Sequence, residues 1–114
     1  MRNKTVMDRE AGLIALKTSL LETAKRLSSA QDAFLTMQNT VMPAAEKVFV
    51  SVRKAYQAGE QDYLELLEAQ STLLVIRREQ MELFAELQEL MVELDGLTAE
   101  ALRKDHIIES NKES

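Results

Sequence analysis

The second half of the chain carries an unbroken series of apolar heptads. Its apolar positions alternate steps of three and four residues, which is the pattern of the seam in a left-handed coiled coil. The predicted seam residues are Leu66, Ala69, Leu73, Ile76, Gln80, Leu83, Leu87, Leu90, Leu94, Leu97 and Ala101. The pattern predicts one long amphipathic helix, the second arm, over about residues 62–103.

A similar but less regular pattern runs through the first half and predicts a first arm over about residues 11–58. Its predicted seam residues are Leu13, Leu16, Leu20, Leu27, Ala30, Phe34, Met37, Val41, Val48, Val52 and Ala55. Pro43 has no amide hydrogen and its ring crowds the preceding helical turn, so we expect a bend or short break over Thr40 to Pro43.

A single glycine separates the two patterns. Gly59 can take the left-handed backbone conformation that ends many helices, so it predicts the C-terminal end of the first arm. Asp62 offers an N-cap for the second arm, and Glu65 three residues later completes the sequence of a capping box. The turn is therefore predicted from about Gly59 to Asp62.

Together the arms predict an all-α fold, a long antiparallel helical hairpin that forms one domain over residues 1–114. Reflecting residue numbers about the turn pairs Phe34 with Phe84 and Met37 with Met81. We expect residues 1 to about 10 to be frayed and residues 104–114 to form a polar tail.

A second apolar stripe lies beside the seam of the second arm and is wider than one partner helix can cover. The stripe comprises Tyr63, Leu67, Leu74, Met81, Phe84 and Met91. Self-association into a larger bundle or barrel would bury it, and a third helix folding back from the N-terminal region is the alternative. We therefore predict an oligomer interface at Tyr63, Leu74, Met81, Phe84 and Met91.

Charge is distributed unequally between the arms. Residues 1–58 carry nine Lys and Arg against five Asp and Glu, whereas residues 60–105 carry four against twelve. Folding one arm on the other would relieve both imbalances, although ordinary solvated helix faces explain the same charges equally well. The net charge of −5 argues against a nucleic-acid partner.

The candidate chemistry is sparse. The chain has no cysteine and one histidine, His106, which lies in the polar tail. The glutamates are spaced along exposed helical positions, and the serines and threonines have no histidine base nearby. Methionines at seam positions serve as core filler more often than as soft-metal ligands. We expect no enzyme activity, no cofactor and no metal site.

Nor does the chain carry a visible membrane signal. No apolar run approaches the ~20 residues that a membrane-spanning helix needs, and no apolar core of the signal-peptide type follows Met1. We therefore expect no direct lipid span in this chain.

The turn combines amides and phenols with apolar side chains, a mixture suited to docking on another helical tip. The alternative is that Gly59 and Asp62 only make the turn while the tyrosines cap the seam. The candidate docking residues are Tyr56, Gly59, Gln61, Asp62, Leu64, Leu67, Ala69 and Gln70.

At these residues the sequence resembles the outer-membrane efflux proteins of the TolC type, in particular the branch found with heavy-metal and multidrug exporters. The resemblance covers about residues 13–98. Its motifs are a proline followed by small residues at 42–45, then Y-x-x-G at 56–59, then L-x-x-L-x-A-Q-x-x-L from Leu64 to Leu73. The run 94–98 is similar to the closing helix of the family.

The resemblance implies that the arms correspond to the last pair of long helices in a periplasmic α-barrel. The turn would then be the tip that meets a periplasmic adaptor protein, and the homo-oligomer would be a trimer. It also implies a location at the outer membrane and periplasm. On this hypothesis the protein is a non-catalytic component of a tripartite efflux system.

The sequence departs from the family pattern because a preceding helical half, membrane-spanning strands and an export signal are all missing. We therefore expect an excised segment, a truncated product or a free-standing hairpin. The alternative function is a soluble structural or interaction protein that self-associates, which would be cytoplasmic if the chain is a complete gene product. The exported substrate is not indicated.

Overall fold

A computed structural model describes the backbone of residues 2–113 and the side chains of residues 8–107; Met1 and Ser114 lie outside the described residues. Helix α1 spans Arg2–Thr36 and is followed by one π-helical segment, Met37–Val41. Helix α2 spans Met42–Gln57, and helix α3 spans Tyr63–Glu113. The described backbone contains no β-strand, and the predicted all-α helical hairpin is confirmed.

Helix extends past both outer limits predicted for the arms. The backbone is helical from Arg2 and as far as Glu113, so the predicted frayed start and polar tail are helical wherever the structure describes them. The apolar periodicity ends near Arg103, but a helical backbone needs no apolar seam. Residues 1–10 and 104–114 contain no proline and no glycine, and several of them, such as Glu and Lys, are good helix formers.

Contacts divide the chain into two compact units. Unit 1 pairs the part of α1 up to Ser29 with the part of α3 from Gln88. Unit 2 runs from Ala30 to Leu87 and contains the π-helical segment, α2, the turn and the first part of α3. The prediction of a single domain therefore stays a prediction.

Each unit pairs its two arms in antiparallel register. In unit 2 the rings of Phe34 and Phe84 lie 5.8 Å apart between centroids, which confirms the predicted pairing. In unit 1 a Cβ placed on Gly12 would lie 3.9 Å from the Lys104 Nζ. A small cavity in the same unit is lined by Leu13 and Lys17 from one arm and by Thr98, Ala101, Leu102 and Asp105 from the other.

The seam predicted for the second arm is confirmed at every position. Leu73 and Leu90 are buried, and the remaining predicted residues of this seam are half-buried. The opposing core consists of Leu16, Thr23, Ala30 and Met42 on the first arm. Because α3 is one uninterrupted α-helix through this region, a strict heptad keeps its apolar side toward the facing arm.

The seam predicted for the first arm is wrong at one position, since Val48 is 58% exposed. Met42 is buried instead, and Ala45 and Phe49 are half-buried. The cause lies just before Pro43, where the Met42 amide donates to the Met37 carbonyl oxygen five residues back. This wider π turn inserts one extra residue, so Phe49 takes the place expected of Val48, while Val52 and Ala55 remain half-buried as predicted.

The break that Pro43 predicts is therefore a π-helical segment, which begins at Met37 rather than Thr40. Proline removes one amide donor and its ring crowds the carbonyl of the preceding turn. A wider turn moves the carbonyl groups away from that ring, and α-helix resumes with Pro43 in the first turn of α2.

Over residues 8–107, the opposite charges of the two arms do not form ion pairs across the seam. Among the side chains that the structure describes, the one salt bridge joins Lys104 to Glu100 within α3, at 3.9 Å. Both side chains of this pair are more than one-third exposed, so it adds little to stability. The alternative of solvated helix faces accounts for the charges in this structure.

Candidate docking site at the helical turn

The first arm ends in a Schellman motif centred on Gly59. This residue has a φ of 76°, the left-handed conformation that its sequence position predicts. The Glu60 amide donates to the Ala55 carbonyl oxygen at 2.8 Å, and the Gly59 amide donates to the Tyr56 carbonyl oxygen at 3.0 Å. These two bonds satisfy carbonyl groups that the end of a helix otherwise leaves without a donor.

The second arm begins at an Asp62 N-cap. The Asp62 Oδ1 accepts a hydrogen bond from the Glu65 amide at 3.1 Å, which confirms the predicted cap. This is the first of the two bonds of a capping box. The Asp62 carbonyl also accepts from the Leu66 amide at 3.5 Å, so helical hydrogen bonding begins at this residue. The backbone of the turn is therefore fixed at both ends by local bonds.

Two tyrosines close the end of the hairpin. The rings of Tyr56 and Tyr63 lie 6.0 Å apart between centroids and are tilted by 50°. This separation is within the range of favourable aromatic contacts, so the pair joins the last turn of α2 to the first turn of α3. Both side chains are also partly exposed, which leaves them available at the surface of the turn.

Most of the predicted docking residues lie together at the surface of the turn. Leu64 is the most exposed of the apolar ones, at 68%, and Leu67 is exposed one helical turn later. Gln61 and Gln70 are exposed as well. Ala69 differs, because it is half-buried at a seam position and faces the first arm. The turn thus presents a small apolar patch with amides and phenols beside it.

The residues predicted as an oligomer interface are all exposed in the single chain. Tyr63, Leu74, Met81 and Phe84 belong to unit 2, and Met91 belongs to unit 1. Met81 is the most exposed of them, at 72%. The facing arm therefore covers these residues only in part, through the ring contacts of Tyr63 and Phe84, and their role as an interface stays a prediction.

Two further residues of the same region escaped the sequence analysis. The Arg53 guanidinium carbon lies 5.8 Å from the centroid of the Phe49 ring, a cation–π contact between neighbouring turns of α2. A hint was present in the sequence, because Phe49 lies one heptad before Tyr56 and four residues before Arg53. The sequence analysis placed Val48 in the seam, and for that reason it did not single out Phe49 or its contact with Arg53.

The described side chains include no group of three or more histidines, aspartates and glutamates placed to hold a metal ion. Among the described residues, no helix is both long enough and apolar enough to cross a membrane.

Part of this chain is similar to a metal-resistance protein. Over 67 residues it is 36% identical to the cobalt-zinc-cadmium resistance protein CzcC of Cupriavidus metallidurans. The match takes in 59% of this chain and 16% of CzcC, so the chain spans only a small part of that relative's length. The similarity supports a relationship to heavy-metal resistance proteins.

No protein-family model matches the chain. No solved structure matches it either. The similarity to CzcC and the geometry of the turn are therefore the observations from which a function is inferred.

The Asp62 cap gives a direct test of how firmly the turn is held. We expect Asp62→Ala to destabilise the hairpin by about 1 kcal/mol, because the Glu65 amide loses its acceptor. Asp62→Asn keeps an oxygen at the same place and should cost much less. Urea unfolding followed by circular dichroism measures both variants, and equal losses would show that the side-chain bond does not stabilise the turn.

Proposed function

We propose that this hairpin is a non-catalytic component of a tripartite heavy-metal efflux system, and that its turn docks on a periplasmic adaptor protein. The observation that carries the proposal is an apolar side chain, Leu64, held 68% exposed on a turn that is capped on both sides. Isolated apolar residues are ordinary on protein surfaces, but here one projects from a fixed backbone among partly exposed tyrosines.

The fixed backbone favours recognition because little conformational freedom remains to be lost on binding. The Schellman motif and the Asp62 cap hold Leu64 in the first turn of α3, and Leu67 extends the same patch along the helix. The neighbouring tyrosines supply large amphipathic rings, a type enriched at protein interfaces. Such a patch fits a shallow apolar groove between the helices of a partner.

The efflux role is inferred from the relationship to CzcC together with the resemblance of the turn and second arm to outer-membrane efflux proteins. On this proposal the hairpin works on the periplasmic side of the outer membrane, as part of a homo-oligomer that is a trimer in the resembled family. It contributes helix packing and docking, and no chemistry of its own.

Matched charge insertions on α3 test the docking. Leu64 and Leu102 are the same residue type on the same helix, and their exposed fractions are nearly equal at 68% and 67%. We expect Leu64→Asp to weaken binding to the adaptor by about tenfold or more, since an interface must then desolvate a carboxylate. Leu102→Asp should leave binding unchanged, because it lies far along the chain from the turn.

Isothermal titration calorimetry with the purified adaptor of the same transport system measures both variants, and circular dichroism confirms that helicity is retained. Equal effects of the two substitutions, or binding that neither alters, would contradict docking at the turn.

A second candidate function is favoured by the exposed stripe on α3. A hairpin with exposed Leu74, Met81 and Phe84 can act as a self-associating structural or interaction protein. This candidate predicts self-association of the chain without any affinity for the adaptor. The calorimetric experiment separates the two, because only docking at the turn produces heat with the adaptor.

A further inference from the structure

The charges around the docking turn all have one sign. Residues 55–76 carry no basic side chain and four acidic ones, which are Glu60, Asp62, Glu65 and Glu68. All four are exposed, and none of them forms a salt bridge with a cation among the side chains that the structure describes. The exposed apolar residues of the turn therefore lie among negative charges that the chain itself does not pair.

Two of the four carboxylates have a local structural role. Asp62 caps α3, and Glu65 lies in the first turn of that helix. The free amides and the positive end of the helix dipole favour negative charge at both positions. These two residues are expected wherever a helix begins in this way, so they give no indication of a partner.

Glu60 and Glu68 have no such role. The Glu60 amide takes part in the Schellman motif, but its carboxylate lies between two helix ends whose dipoles act on it in opposite directions. Glu68 lies past the first turn of α3, and the like charge of Glu65 three residues earlier disfavours it. Local structure therefore does not account for these two carboxylates.

The nearest cations of the first arm are directed away from the turn. The Arg53 guanidinium carbon lies 5.8 Å from the centroid of the Phe49 ring, one helical turn further from the end of the hairpin. Lys54 is two positions from the half-buried Val52, about 200° around α2, and so lies on the outer side of that helix. It lines a shallow depression together with Val50 of the same arm. Neither cation therefore compensates the carboxylates of the turn.

Leu64 and Glu68 lie together on the outer side of α3. Each is two positions from the half-buried Leu66, and four residues separate them, so they are neighbours on successive helical turns. Leu67 adjoins them and continues the exposed apolar patch. A partner that contacts Leu64 therefore also approaches the Glu68 carboxylate.

We infer that the partner docked at the turn presents an apolar groove with lysine or arginine side chains at its rim, and that these cations pair with Glu60 and Glu68. The inference rests on the docking proposed above and adds the chemistry of the partner. Apolar contact at Leu64 and Leu67 supplies the binding surface. Charge complementarity selects the occupant, because an acidic rim would be repelled and an uncharged rim would leave both carboxylates without a counterion.

The two contributions to binding respond differently to salt. Attraction between charges at the rim of an interface acts mainly on the association rate, and salt screens it. Apolar contact at Leu64 acts mainly on the dissociation rate, as most interface contacts do. Rate constants measured at two salt concentrations therefore separate the basic rim from the apolar groove.

Removing the two unexplained charges tests the inference. Glu60→Gln with Glu68→Gln keeps the size of both side chains and leaves the caps of the turn intact. We expect the association rate constant with the purified adaptor of the same transport system to fall about fivefold at about 50 mM salt. At about 500 mM salt the difference from the original chain should nearly vanish.

A second pair of substitutions provides the matched control. Glu82 and Glu89 are exposed, and they follow Glu68 by two and three heptads on the same side of α3. Glu82→Gln with Glu89→Gln makes the same change in net charge away from the turn. It should alter the association rate constant by less than about twofold.

Surface plasmon resonance with the full-length chains and immobilised adaptor measures these rate constants, and circular dichroism checks that helicity is retained. If Leu64→Asp weakens binding while the Glu60 and Glu68 variant associates at the original rate, the basic rim is wrong and docking at the turn stands. Equal effects of the two glutamine variants would also overturn the inference, because net charge would then govern association. An original chain that does not bind the adaptor would overturn the docking itself and the inference with it.

Discussion

Replacing Leu90 by alanine is expected to destabilise the hairpin by about 2–4 kcal/mol. Leu90 is only 6% exposed and belongs to the small set of buried residues in unit 1. Truncation removes apolar surface that folding takes out of water, and it leaves a space that a thin two-helix core can fill only in part. Chemical unfolding with urea, followed by the circular dichroism of the helices, measures the loss.

Leu102 provides the matched control for this substitution. It is a leucine on the same helix and in the same unit, but it is 67% exposed. Leu102→Ala removes the same atoms and makes the same small change in helix propensity, so it should alter stability by no more than about 0.5 kcal/mol. Similar losses at both positions would mean that the seam at Leu90 does not stabilise the chain, contrary to its burial.

The sequence was sufficient to predict the seam of the second arm because nothing interrupts α3 there. A continuous α-helix turns every heptad back to nearly the same side, so apolar spacing alone identifies the side that faces a partner. The turn was equally predictable. Gly59 and Asp62 end and begin their helices through hydrogen bonds to residues a few positions away. Such local bonds can be predicted from the sequence without knowledge of the rest of the fold.

In the first arm the predicted seam fails at Val48, five residues after Pro43. A proline predicts that the helix is disturbed, but it does not predict whether the helix kinks, breaks or forms a wider turn. The π turn over Met37–Val41 adds one residue, and the side facing α3 moves from the expected Val48 to Phe49. A heptad count carried through the proline could not detect that change.

The candidate site was predictable in its composition but not in its full extent. The exposed residues of the turn follow from their positions in the sequence. The aromatic contacts require knowing which residues of the first arm lie beside which residues of α3, and the pairs Tyr56 with Tyr63 and Phe34 with Phe84 establish this in unit 2. Phe49, which contacts Arg53, becomes half-buried in place of Val48 only because of the shift at the π turn.

Two glycines should respond in opposite directions to the same substitution. Gly59 has a φ of 76°, where a Cβ is strained even though no atom lies within 4 Å of its position. We expect Gly59→Ala to destabilise the hairpin by about 1–2 kcal/mol. Gly96 lies inside α3 in an ordinary helical conformation, and a Cβ there also meets nothing within 4 Å. Gly96→Ala should stabilise the chain by about 0.5–1 kcal/mol, because alanine restricts the unfolded chain and favours helix.

The comparison isolates backbone conformation from packing, because an added methyl group has open space at both positions. The expected gap between the two variants is about 1.5–3 kcal/mol, measured as the difference in urea unfolding free energy. If Gly59→Ala proved neutral, the left-handed residue would not be what ends the first arm, and the Schellman bonds of Glu60 and Gly59 would have to form in another backbone conformation. The docking surface at Leu64 would then lose the fixed turn on which its exposure depends.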